Sequence, residues 1–148
     1  MSNNLAKESL HIGCTQYKNL QNKIDVTAQQ LRALTDELET ITSLEDKLIH
    51  AEEKKGNFVL GKLTQQEKDL FQQFEPGFSE VPLTEHQRDN VLEKLKRLYS
   101  TKVEMEVKPL QNKVFRDEES KNLWVQLIAM VVNRHHDAMD RIVGNIGR

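Results

Sequence analysis

The chain has 148 residues, 37% hydrophobic and 30% charged, with only six Gly and three Pro. This length fits one domain whose core needs no disulfide or metal, and the scarcity of turn residues excludes a fold of many short strands. The net charge of -2, from 21 basic and 23 acidic side chains, gives none of the basic excess expected of a nucleic-acid binder.

The basic cluster Lys94, Lys96, Arg97 and Lys102 is diluted by Glu93, Glu104 and Glu106, so it reads as a solvated helix face. Cys14 is the only cysteine, which rules out an intrachain disulfide and suits a reducing compartment. The N-terminus lacks the basic-then-apolar order of a signal peptide. The longest apolar run, Leu123 to Val132 with Gln126 inside it, is about half of what a bilayer span needs. The expectation is a cytoplasmic protein with no membrane span, specialised secretion remaining open.

The first predicted element is a long helix over about 5–55. Between Tyr17 and Leu48 its apolar residues recur every seven positions. One row carries Tyr17, Ile24, Leu31, Leu38 and Glu45; the other carries Leu20, Thr27, Leu34, Ile41 and Leu48. That is the 3.5-residue spacing of a coiled-coil seam, and over this stretch a helix would run about 48 Å. Thr27 and Glu45 are its polar intrusions. Gly13 is expected to weaken the first turns. Thr40-Ile41-Thr42-Ser43 is a possible break, with Ser43 able to cap a second helix from Leu44. Lys54-Lys55 followed by Gly56-Asn57 reads as a helix C-terminus.

Phe58 to Leu63 reads as a short apolar connection. Thr64-Gln65-Gln66-Glu67 is a capping box opening a short helix over about 65–74, with Leu70, Phe71 and Phe74 on one side and Pro76-Gly77 as the stop. A loop from Phe78 to Leu83 leads to a second capping box, Thr84-Glu85-His86-Gln87. The helix it opens spans about 85–107, with Val91, Leu92, Leu95, Leu98 and Tyr99 on one face, and Pro109 forbids its simple continuation. Asp117, with Glu118 and Glu119 behind it, is expected to cap a last helix over about 118–143. Leu123, Trp124, Val125, Leu127, Ile128, Met130, Val131 and Val132 cover well over half of that helix's circumference, the pattern of a helix buried on several sides. The predicted fold is all-α: one domain over 1–148, an antiparallel bundle with the apolar last helix at its centre and crossing angles of about 20°.

No complete catalytic or cofactor motif is present. His135 and His136 are adjacent and point roughly 100° apart on a helix, while His136 and Asp140 are one turn apart. Glu8-Ser9-Leu10-His11 supplies a di-metal half-motif once, where two copies are needed. Cys14 has no evident base beside it. Gly56 to Lys62 has the glycine and lysine spacing of a phosphate loop, but Leu63 stands where the magnesium-ligating hydroxyl belongs, and a helix is expected before it instead of a strand. No catalytic, cofactor-binding or metal residue is therefore assigned, and no cofactor is expected.

The expected function is non-catalytic binding of another protein through helical faces, as an adaptor, chaperone or inhibitor. The residues expected to line those faces are Ile24, Leu31, Leu34 and Leu38 of the seam, with Phe71 and Phe74 of the aromatic stretch from Phe58 to Phe78. The alternatives are a self-assembling coiled-coil protein, in which the partner is a second copy, and, ranked last, a small metal-binding protein or enzyme using His135, His136 or Cys14.

Overall fold

The computed structural model describes residues 2–77 and 82–146. The chain is largely all-α. Helix α1 spans Ser2–Ile49, α2 Gln65–Phe74, α3 Glu85–Lys102 and α4 Lys108–Ile146. A π-helical segment, Val103–Val107, joins α3 to α4. Three short strands, β1 (Glu52–Lys54), β2 (Asn57–Val59) and β3 (Leu83–Thr84), form an antiparallel sheet in the order β1-β2-β3. The chain divides into two compact units, residues 1–29 with 111–148, and residues 30–110.

The 30–110 unit holds the principal hydrophobic core. Ile41, Leu44 and Leu48 of α1, Phe58 of β2, Leu63, Phe71 of α2, Leu83 of β3, and Val91 and Leu95 of α3 form one buried cluster. Both capping boxes form. The Thr64 hydroxyl accepts from Glu67 N–H at 3.2 Å while the Glu67 carboxylate accepts from Thr64 N–H at 3.2 Å. The Thr84 hydroxyl accepts from Gln87 N–H at 3.2 Å and the Gln87 side chain accepts from Thr84 N–H at 3.0 Å. Each box satisfies two donors that a helix start otherwise leaves orphaned.

Several sequence expectations are corrected in these elements. The long helix ends at Ile49, not near residue 55, because residues 52–59 turn back as a hairpin. Register runs from Glu52↔Val59 to Lys54↔Asn57, and Lys55 and Gly56 both have positive φ, 53° and 80°. Two left-handed residues in a two-residue loop match the right-handed twist of the flanking strands. The hydroxyl-rich stretch does not break α1: the Thr40 and Thr42 hydroxyls donate back to the carbonyls of Asp36 and Leu38, at 3.0 and 2.9 Å, which leaves the helix intact.

Pro109 does not end the helical run, which continues unbroken from Glu85 to Ile146. In an α-helix the proline ring would strike the carbonyl four residues back. Here the turn before it is widened, with Lys108 N–H donating to the Val103 carbonyl five residues back, the spacing of a π-turn. Asp117 consequently sits in mid-helix rather than at a cap, half-buried, with Oδ2 lacking a hydrogen-bond partner.

In the other unit, the N-terminal part of α1 runs antiparallel to α4. Lys121 Nζ donates to Gln21 Oε1 at 3.1 Å and lies 5.7 Å from the Tyr17 ring centre, while Gly13 meets Ile128 and Trp124. Gly13 is buried and marks close packing rather than a weak first turn. A Cβ there would lie 2.7 Å from Ile128 Cγ1 and 3.2 Å from its Cδ1. Overpacking of this kind costs about 1–3 kcal/mol, more than the roughly 1 kcal/mol of helix propensity that alanine adds. Gly13→Ala is thus expected to lower the thermal midpoint of the wild-type chain and to raise it in an Ile128→Ala background. The same sign in both backgrounds refutes the packing account.

Candidate partner-binding surface

The six residues singled out in the sequence lie on the inward side of the fold. Ile24 is 7% exposed, Phe71 is fully buried, and Leu31, Leu34, Leu38 and Phe74 are half-buried. Leu38 and Phe74 pack against the core cluster. Indeed, all ten positions of the heptad rows from Tyr17 to Leu48 are buried or half-buried, Thr27 and Glu45 included. Thr27 tolerates full burial because its hydroxyl donates to the Lys23 carbonyl at 3.0 Å. Phe58 is also buried, with the Arg88 guanidinium 3.8 Å from its ring centre, an arrangement favoured by the ring's negative face. Phe78 lies outside the described residues.

The exposed apolar surface is elsewhere. Of the sixteen large apolar side chains exposed among the described residues, ten belong to α4, and no described residue of α4 is buried. The expectation of a central, enclosed last helix is therefore corrected: within its unit α4 has α1 as its helical neighbour, which covers one face. At about 100° per residue, Trp124 and Ile128 face Gly13. Val125, Val132 and Met139, seven residues apart, run along one flank; Leu123, Leu127 and Met130 run along the other. Further along, from His136 to Ile146, every residue is exposed, with Met139, Ile142, Val143 and Ile146 at amphipathic spacing. The apolar run itself was readable in the sequence. That its helix would have a single helical neighbour in its unit was not, because periodicity reports how much surface wants cover, not how much cover the chain supplies.

The 30–110 unit has an open groove of about 600 Å³ lined by Asp36, Glu37, Thr40, Gln66, Asp69 and Lys102 among others. The cation in its wall is already engaged: Lys102 Nζ lies 2.6 Å from Glu37 Oε2 and 3.4 Å from Glu106 Oε2. The Glu37 hydrogen bond, opposed by burial, holds the Lys102 ammonium above the usual lysine range.

Other candidate chemistry is dispersed. Among the described residues no three His, Cys, Asp or Glu side chains are grouped so as to hold a metal. His135 is half-buried on α4, His136 and Asp140 are exposed, and Cys14 is exposed with a free thiol. The phosphate-loop spacing falls on a hairpin turn, a strand and a coil, and the Lys62 carbonyl there accepts from Lys47 Nζ at 3.1 Å. No described helix is long and apolar enough to cross a membrane. Comparisons of the chain with protein-family models, with curated proteins and with solved structures gave no match.

Proposed function

We propose that the chain is a non-catalytic binding module, an adaptor, chaperone or inhibitor that receives a helix of a partner protein along α4. One observation carries the reading: over residues 123–132 α4 is apolar around most of its circumference, yet none of its described residues is buried. A helix of that composition is ordinarily enclosed on several sides, and monomeric proteins seldom leave large contiguous apolar patches uncovered. The Val125, Val132 and Met139 flank, continued by Ile146, has the seven-residue spacing that a partner helix reads. A lone cysteine and balanced charge fit a cytoplasmic partner that is a protein rather than a nucleic acid.

The test is Val132→Glu with Met139→Glu in the full chain. Both side chains are exposed, so helicity by circular dichroism should stay within error of wild type. Each buried apolar side chain at an interface is worth about 1.5–3 kcal/mol, so the double variant should bind a captured partner at least about 100-fold more weakly. A partner that binds wild type and variant alike, or a wild type that retains none, overturns the proposal.

A further inference from the structure

The opposite flank of α4 carries a charge pattern whose mirror image about its own centre has the same spacing with every sign inverted. Read forward, Arg116, Glu119 and Leu123 are spaced by three and four residues. Read backward, Asp137, Arg134 and Met130 are spaced by three and four residues as well. The midpoint of every mirrored pair falls between Gln126 and Leu127. All six side chains are exposed, and at about 100° per residue they share an arc of about 60°. The four charged ones have no ion pair or hydrogen bond among the described residues.

We infer that this flank pairs with the same flank of a second copy of the chain, α4 antiparallel to α4, about a two-fold axis between Gln126 and Leu127. A two-fold interface brings residue i of one copy to residue j of the other and j to i. In this register Arg116 meets Asp137 of the other copy and Glu119 meets Arg134, each twice, while Leu123 meets Met130 and Leu127 lies beside the axis. Each of these four charges thus meets its opposite, and the apolar residues occupy the middle. A shift of one helical turn spoils the match and sets Glu119 against the other copy's Asp137 or sends it past the charged positions altogether. Opposite charges at such a rim fix register and partner choice more than affinity. The inference shares with the proposed function the observation that α4 lacks cover, but it uses the other flank, so the two can fail separately.

Sedimentation of the full chain over a wide concentration range tests it, with Glu119→Arg, Arg134→Glu and the double variant beside wild type. Wild type is expected to reach a dimer, and added salt should weaken it by screening. Each single variant sets like charges opposite one another at both ends of the axis and should weaken dimerisation about tenfold. The double variant exchanges the two signs and should recover to within about threefold of wild type. Circular dichroism of each variant separates lost pairing from lost folding. A wild type that remains monomeric at the highest concentration overturns the inference while leaving the partner reading intact, since that reading is tested on Val132 and Met139. A dimer indifferent to the single changes, or a double variant weaker than both singles, overturns the inference too.

Discussion

Phe71→Ala should lower the unfolding free energy by about 3–5 kcal/mol, the range for emptying an aromatic site in a packed core. Phe71 is fully buried within the cluster that Ile41, Leu44, Leu48, Val91 and Leu95 form around it. The loss has two parts: the transfer energy of the deleted ring and the cavity left when its neighbours close in only partly. Against a domain stability of about 5–15 kcal/mol, that is enough to bring the 30–110 unit near its threshold. Phe74, one turn nearer the end of α2 and only half-buried against the same cluster, should cost less than half as much on substitution. Urea unfolding measures both. The midpoint should fall steeply for Phe71→Ala and modestly for Phe74→Ala. Equal losses at the two positions would place the cluster wrongly.

The contrast between these two phenylalanines shows what a one-dimensional pattern conveys. Leu70, Phe71 and Phe74 were legible as one side of a short helix, and both capping boxes were legible to the residue, because a cap is a local exchange of hydrogen bonds between positions three apart. The inward heptad rows of α1 were legible because helical periodicity alone fixes which side chains share a face. What the rows pack against was not. Ile41 and Leu48 belong to a core completed by Phe58, Leu83 and Val91, residues distant in sequence whose convergence no period reports. The hairpin at 52–59 was hidden because β1 is Glu52-Glu53-Lys54, fully exposed, with no apolar alternation to mark it. Its signal lay in the Lys55-Gly56 turn, which equally suits a helix end. The helix through Pro109 was hidden because its remedy is a backbone register change rather than a residue type. On the surface side, the apolar circumference of α4 was read correctly as residues and wrongly as burial. The charge mirror about Gln126 and Leu127 has its meaning only once those positions are known to share an exposed arc.

Lys47→Ala should invert the pH dependence that Glu67 contributes to stability. Glu67 is 3% exposed, and its Oε1 accepts from Lys47 Nζ at 2.7 Å and from Thr64 N–H at 3.2 Å, while Oε2 has no partner. Burial pushes its carboxyl up, but the Lys47 hydrogen bond, hydrogen bonding by Thr64 and the Lys47 charge outweigh that and hold it below its ordinary 4.5. A depressed carboxylate adds stability that is present above pH 4.5 and is lost as pH falls below it through the folded-state value. Removing Lys47 leaves the buried carboxylate without its counter-charge, a change that costs about 3–5 kcal/mol at fully enclosed pairs. Here the cost has a ceiling. The carboxyl can instead take up a proton, and doing so at pH 7 costs only about 3 kcal/mol at 1.36 kcal/mol per pH unit. In the variant, burial is expected to outweigh the remaining Thr64 hydrogen bonding and to push the Glu67 carboxyl above its ordinary value, so the folded chain should bind the extra proton and gain stability as pH falls from neutral towards 4.5. The stability gap between wild type and Lys47→Ala should therefore be widest near neutral pH, at about 2–3 kcal/mol, and close steadily below it. Glu67→Gln, which keeps an oxygen for Thr64 N–H but carries no charge, should show no such closure between neutral pH and 4.5, its difference from wild type shrinking only below. Urea unfolding of the three proteins from pH 3 to 8 provides the curves, and a gap for Lys47→Ala that stays constant across that range would mean the ion pair does not hold Glu67 ionised.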